Sequence, residues 1–343
     1  KGIVWRGVVN ASQTPAMQAA QNISQVFMGV NLKCASCHDS FINDWRLSDS
    51  YGLACVYSDG PLEMVRCDKP TGLTAPARFI YPELGQIDSR ASRPERLREL
   101  ATIITSPKDG RLSRTIVNRL WARFFGRGLI EPVDDMEQEA WDQDLLDWLA
   151  DDLAAHHYNL KHTIELMVTS KAYQLPSANI GEGKVKDYVF SGPAIRRLSA
   201  EEYRDAVGRL TGIWYSKSEV PTPSHEIRCS MVVADPLAVA LGRPNREQVV
   251  TTRASEATTL QALELTNGKT LALVLERAAY RIMDAPPPTQ DLVEELYQQG
   301  LGRSPTYKEL ELAQNVVGLP PQREGVEDFL WAMVMLPEFQ LVY

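Results

Sequence analysis

The sequence predicts a mainly α-helical protein. In several long stretches, apolar residues recur at the i, i+3, i+4 spacing of a helix, and many of these stretches carry helix-start or helix-stop residues. Runs that alternate apolar and polar residues, which predict strands, are scarce. With 44% hydrophobic and 23% charged residues, the 343-residue chain has an ordinary globular composition.

The predicted helices follow one another along the chain. A first one precedes residue 33, and the others lie in RTIVNRLWARFFG (114–126), DLLDWLADDLAAHH (144–157), HTIELMVTSKAYQL (162–175), LSAEEYRDAVGRLTG (198–212), SPTYKELELAQNVVGLP (304–320) and GVEDFLWAMVMLPEF (325–339). Glycines at 126, 212 and 318 predict helix ends, and Ser199 with Glu202 and Thr306 with Glu309 predict capping boxes at helix starts.

Three segments lack such periodicity and predict loop-rich regions. They span 58–94, 176–193 and 214–256, and the first is rich in proline and glycine, as linkers are. We therefore expect a helical N-terminal segment over 1–88 and a larger helical second module with loop-rich insertions over 89–343.

The charge balance excludes one class of partner. The net charge is −8, whereas binding to nucleic acid needs a basic face. No apolar run approaches the roughly 20 residues of a membrane-spanning helix. Much of the acidic excess lies in 134–152, which predicts either the solvated face of a helix or a docking surface for a basic partner.

The most informative stretch is NLKCASCHDSF, from Asn31 to Phe41. Its CxxCH pattern predicts attachment of a c-type haem, with Cys34 and Cys37 forming thioethers to the porphyrin and His38 ligating the iron. Haem c is assembled outside the cytoplasm, so this interpretation also predicts a periplasmic or cell-surface protein. In such a compartment, Cys55 and Cys67 either form a disulfide or are both thiols.

Two other interpretations of the cysteines stay open at this stage. Zinc needs four ligands, which Cys55 and Cys67 could complete, although their spacing offers no second CxxC pair. A thioredoxin-like redox pair would follow a strand, whereas the residues before Cys34 are helical in pattern. Haem is the interpretation that the spacing favours.

The second axial ligand of the iron is less well indicated. Met64, in the proline- and glycine-rich segment, is the preferred candidate, and Met28 is the alternative. Met17 is a further option, and four distant histidines (His156, His157, His162 and His225) also exist. An open sixth position would favour ligand binding or peroxide chemistry over electron transfer.

Several long blocks carry a resemblance to a known family. They are VFMGVNLKCASCHDSFINDWRLSDSYGLA (Val26–Ala54), SRTIVNRLWARFFGRGLIEPVDDM (Ser113–Met136), LKHTIELMVTSKAYQLPS (Leu160–Ser177) and Leu241–Gly268. With these blocks the chain resembles the planctomycete cytochrome c-like family, large exported proteins of unknown function. The resemblance implies two modules, the first ending in the CxxCH segment. Ser40 stands where that family often has a second histidine, so no role of that histidine carries over.

The leading hypothesis is an exported c-type cytochrome with one covalent haem. It would transfer electrons within a larger assembly rather than act as an enzyme, with redox proteins or other subunits as partners. The second module carries no redox motif, which predicts a scaffold or docking role. The alternatives are a haem-dependent oxidative or peroxidatic enzyme and a non-redox surface or interaction protein whose CxxCH binds zinc.

Overall fold

A computed structural model describes residues 14–178, 188–244, 253 and 257–343, and it confirms the mainly α-helical class. The helices are α1 (Pro15–Met28), α2 (Leu47–Val56), α3 (Arg93–Ile104), α4 (Arg111–Phe125), α5 (Gln143–Ala155), α6 (Leu160–Val168), α7 (Ala200–Thr211), α8 (Pro236–Ala240), α9 (Thr259–Asn267), α10 (Lys269–Met283), α11 (Thr289–Leu301), α12 (Tyr307–Val317), α13 (Arg323–Met335) and α14 (Pro337–Gln340). The strands are β1 (Leu62–Arg66), β2 (Lys69–Ala75), β3 (Arg196–Arg197) and β4 (Leu341–Val342). Within the described ranges, every helix is too short or too polar to cross a bilayer.

The chain forms two compact units. The first extends to Ala194, and the second begins at Ile195. The module boundary expected near residue 89 does not coincide with this division. Residues on both sides of position 89 lie in the first unit. As a boundary between sequence modules it stays a prediction.

The first unit has two apolar clusters. One joins α1, α2, the β1–β2 hairpin and α3, and its members include Met17, Leu53, Phe79 and Leu100. The other joins α4, α5 and α6 around the stacked rings of Trp121 and Phe125, whose centroids are 3.8 Å apart. The CxxCH segment lies between α1 and α2, within the first cluster's part of the chain.

The expectation of a linker without regular structure over 58–94 was incomplete. β1 and β2 pair as an antiparallel hairpin there, with Leu62 opposite Ala75 and Arg66 opposite Lys69. The sequence does not predict these strands, because most of β2 is exposed and shows little apolar–polar alternation. The turn residues Cys67 and Asp68 both have positive φ, as a type I′ hairpin turn requires, but Cys-Asp is not one of the pairs that signal this turn in a sequence.

The second unit packs α7 to α14 around one apolar core. Val207, Leu275, Val293 and Leu330 are among its fully buried members. A short antiparallel pair joins β3 to β4. Of the loop-rich segment expected over 214–256, the described part 214–244 holds one short helix, α8, and a 3-10 turn over Cys229–Met231.

The predicted helix boundaries follow local chemistry. Gly126 and Gly212 end α4 and α7 in the left-handed conformation, with φ of 79° and 70°. Both predicted capping boxes form, at the starts of α7 and α12. The segment 176–193 lies partly outside the described residues.

Candidate functional site

The CxxCH residues form a single helical turn that follows α1. A 3-10 turn spans Cys34–Ser36, and the carbonyl of Cys34 accepts from the backbone N–H groups of Cys37 and His38, at 3.1 and 3.2 Å. Ala35 and Ser36 are buried, whereas Cys34 and Cys37 are half-buried. The turn therefore anchors itself through its middle residues and leaves both thiol-bearing residues accessible.

The ring of His38 is fixed by its own neighbours. Its Nδ1 lies 2.8 Å from the carbonyl oxygen of Asp39, and its ring packs on Phe41 at a centroid distance of 4.7 Å. A carbonyl oxygen can only accept, so Nδ1 carries the proton and donates. The lone pair of the neutral imidazole is consequently on Nε2, the nitrogen left for a metal.

Asp39 ties the motif to two other elements. Its Oδ1 accepts from the backbone N–H of Leu47 at the start of α2 (2.9 Å), and its Oδ2 pairs with Arg66 at the end of β1 (2.8 Å). The hydrogen bond from Leu47 and then the charge of Arg66 lower the pKa of the Asp39 carboxyl. Asp39 therefore stays ionised, and its two contacts fix the position of the residue next to His38.

The hairpin turn docks directly on the motif. The backbone N–H of Cys67 donates to the carbonyl of Cys37 at 3.0 Å, and the Cys67 sulfur lies 3.8 Å from the same oxygen. Sequence reasoning did not place Cys67 here, because the contact joins residues thirty positions apart. No local signal in the sequence pairs Cys67 with Cys37.

Cys55 lies away from this turn. It is buried in α2, and its thiol donates to the carbonyl of Ala75 at the far end of β2. The six residue steps from Lys69 to Ala75 span about 20 Å, whereas a disulfide needs Cα atoms within about 7 Å. Cys55 and Cys67 are accordingly thiols rather than a disulfide. Burial raises the pKa of Cys55, which keeps it protonated.

The same geometry bears on zinc. A structural zinc site needs four donors that converge on one point. All five cysteines and His38 lie in the described residues, yet the ligand atoms of the motif do not form a cluster in which all lie within 4.8 Å of one another. Cys55 could not join such a cluster from the opposite end of the hairpin.

The methionines considered as distal ligands differ in setting. Met28 and Met17 are buried in the apolar cluster at 0% and 1% exposure. Met64 is half-buried on β1, three residues before the Cys67 turn that contacts Cys37. Strand geometry puts it within about 10 Å of that turn. The assignment of a distal ligand stays a prediction.

The loop after His38 is ordered by Ser40. Its hydroxyl accepts from the N–H groups of Ile42 and Asn43, both at 3.3 Å, and its own N–H donates to the Trp45 carbonyl. This arrangement leaves Phe41 and Ile42 87% and 73% exposed. An apolar surface therefore adjoins the His38 ring.

A clamp from α4 holds the helix that leads into the motif. Arg119 donates to the carbonyls of Gln25 (2.8 Å) and Val26 (2.5 Å) in the last turn of α1 and pairs with Asp134 at 2.6 Å. Helix ends leave such carbonyls without intrahelical partners. Arg119 therefore caps the C-terminal end of α1.

Trp45 links the loop to Glu137 and, through it, to Arg111 at the start of α4. Its Nε1 donates to Glu137 (3.2 Å), which also accepts from the Tyr81 hydroxyl (3.1 Å) and pairs with Arg111 (3.5 Å). The guanidinium of Arg111 stacks over the Tyr81 ring at 4.3 Å. Glu137 and Asp134 show that part of the acidic 134–152 stretch is used inside the first unit.

Two family models match the sequence. The model described as PSCyt2, protein of unknown function (DUF1549), matches residues 7–60, which contain the CxxCH segment. The model described as PSD1, protein of unknown function (DUF1553), matches residues 96–317, more than half of the chain. No curated protein and no solved structure matched the sequence. The chain therefore belongs to the PSD1 family of proteins of unknown function (DUF1553).

Proposed function

We propose that this protein is an exported c-type cytochrome that carries one covalent haem. Cys34 and Cys37 form the thioether links, and Nε2 of His38 is the proximal ligand. The observation that carries the proposal is the hydrogen bond from His38 Nδ1 to the Asp39 carbonyl, which leaves Nε2 as the metal-binding nitrogen. When bound, the haem supplies one-electron transfer.

The donor set suits a porphyrin better than a bare ion. In haem c the two thiols bond the edge of the porphyrin and the imidazole binds the iron. These three donors therefore need not converge on one point. The exposed apolar side chains of Phe41 and Ile42 offer a surface that a flat macrocycle would cover. The contacts of Asp39 with Leu47 and Arg66 hold the residue next to the proximal ligand His38 in place.

Export and partners follow from the same proposal. Haem c is attached outside the cytoplasm, so the functional location is periplasmic or at the cell surface. Asp144 and Asp151 are exposed on α5 beside Trp148, which is 56% exposed. This acidic face would steer a basic redox protein or a subunit of a larger assembly to the protein.

The deciding experiment is expression of the full chain in a host that exports it and attaches haem c. We expect a pyridine haemochrome spectrum of haem with two thioether links and an intact mass increased by one haem. Cys37→Ser should leave a single thioether and shift that spectrum, whereas the matched variant Cys67→Ser should bind haem normally. Wild-type protein without any haem mass, after correct export, would reject the proposal.

The distal ligand is tested on the same material. If Met64 ligates the iron, Met64→Ala lowers the reduction potential and makes the ferrous spectrum respond to CO, because a Met ligand raises the potential of haem. Met28→Leu is the control, since this swap usually costs less than about 1.5 kcal/mol in a core. A CO response of the wild-type protein would instead indicate an open position and favour the enzymatic alternative.

A further inference from the structure

Three side chains converge at the turn between α5 and α6. Asp152 lies in the last turn of α5, His156 is the residue that follows the helix, and His162 lies in the first turn of α6. One ligand atom from each lies within 4.8 Å of the others, the one such cluster of three found in the described ranges. All three belong to the first unit and lie on elements separate from the CxxCH turn.

The distances match those of metal coordination. His156 Nδ1 is 3.2 Å from Asp152 Oδ1, and His162 Nε2 is 3.1 Å from Asp152 Oδ2. Two ligands held about 2.0–2.1 Å from a tetrahedral zinc ion are about 3.3 Å apart. Both histidine–carboxylate distances thus match the spacing of zinc ligands, and one ligand atom of each of the three residues lies within 4.8 Å of the others.

We propose that Asp152, His156 and His162 form a binding site for a divalent transition metal of the zinc class. Two imidazoles and one carboxylate are donors that Zn²⁺ takes, and three protein ligands leave a position for water. The bound ion would join the C-terminal end of α5 to the first turn of α6.

The local backbone explains why the two imidazoles meet. His157 and Tyr158 have φ of 54° and 57°, so the chain reverses sharply after α5. Asn159 then caps α6 by accepting from the backbone N–H of His162. The reversal brings the rings of His156 and His162 to a centroid distance of 3.8 Å, nearly parallel at 24°.

Without metal, hydrogen bonds hold the same geometry. His156 Nδ1 lies 2.8 Å from the Asp152 carbonyl, and His162 Nε2 faces the Asp152 carboxylate. For a metal to bind, each neutral imidazole moves its proton to its other ring nitrogen and offers the freed lone pair. Asp152 exchanges hydrogen bonds for a coordinate bond. In each imidazole one N–H bond breaks and another forms, and no other covalent bond changes.

The test is titration of the full-length protein with Zn²⁺ by calorimetry and with Co²⁺ by visible absorption. Accessible cysteine thiols also bind these ions, so they are blocked by alkylation before the titration, except where haem occupies Cys34 and Cys37. We expect one equivalent of Zn²⁺ and a Co²⁺ spectrum of nitrogen and oxygen ligands. His162→Gln and Asp152→Asn should each weaken binding at least about tenfold, since even outer-shell changes cost 10–100-fold.

His225→Gln is the control, because His225 is an exposed histidine that lies outside the cluster and outside the turn that builds it. This variant should bind Zn²⁺ as the wild type does. Equal Zn²⁺ affinity in wild type and folded His162→Gln would overturn the proposal, as would equal weakening by His225→Gln. A second measurement is the Zn²⁺-dependent rise in melting temperature, which should be lost in His162→Gln and kept in His225→Gln. None of these outcomes depends on whether Cys34 and Cys37 carry haem.

Discussion

Replacing Arg119 by methionine should destabilise the first unit strongly. Arg119 lies on α4, and its guanidinium donates to the carbonyls of Gln25 and Val26 at the C-terminal end of α1. It also pairs with the carboxylate of Asp134, which is 8% exposed. Burial already raises the pKa of Asp134 despite the Arg119 charge. Methionine keeps the apolar stem and removes all of these bonds together.

The expected cost is about 3–5 kcal/mol, the range for a buried ion pair that loses one partner. Arg123→Met, one turn further along α4 at an exposed position, is the control and should cost about 0–1 kcal/mol. Urea denaturation followed by far-UV circular dichroism measures the difference, and hydrogen exchange of the α1 amides locates it. If the free energy of unfolding of Arg119→Met lies within about 1 kcal/mol of that of Arg123→Met, the Arg119 contacts contribute little to stability, which contradicts the prediction.

Three further outcomes are expected. Gly29→Ala should lower the melting temperature clearly, because Gly29 has φ of 61° and an added Cβ would lie 2.3 Å from Met136 Cγ; an unchanged transition would contradict this. Burial raises the pKa of Asp109 to about 6 from 3.8, so its contribution to stability is complete below 3.8 and is lost as pH rises through about 6. Asp109→Asn should therefore flatten this fall in urea titrations between pH 4 and 6. With an alkylating reagent at neutral pH, native protein should react at exposed Cys67 and resist at buried Cys55, as peptide mass mapping would show; a Cys55–Cys67 disulfide in non-reduced digests would refute this.

Much of the helical framework could be read from local sequence. The ends of α4 and α7 follow from Gly126 and Gly212, and two helix starts follow from Ser199 and Thr306. Capping and apolar periodicity depend on residues within one or two turns, so a single sequence contains them. The CxxCH spacing is local in the same sense, and the structure retains it as one helical turn.

The surroundings of the motif could not be read in that way. The contact of Cys67 with Cys37 and the bond of Arg119 to α1 join residues 30 and more than 90 positions apart. No periodicity predicts such pairings, because they depend on how separate elements pack. Asp152, His156 and His162 lie within ten residues of each other, yet they meet only because the chain reverses at His157 and Tyr158.

In the first unit, the PSCyt2 segment packs against the part of the DUF1553 segment that precedes residue 195. The core around α1 and α2 is completed from beyond residue 95, by Leu100, Ile103 and Leu112, which are all buried. The backbone N–H of Met136 bonds the Gly29 carbonyl at 2.9 Å. The DUF1553 segment therefore supplies hydrogen-bond donors to the C-terminal end of the helix that positions CxxCH, together with part of its packing. Changes in that segment can alter the motif without touching it, because the two share a core rather than a flexible linker.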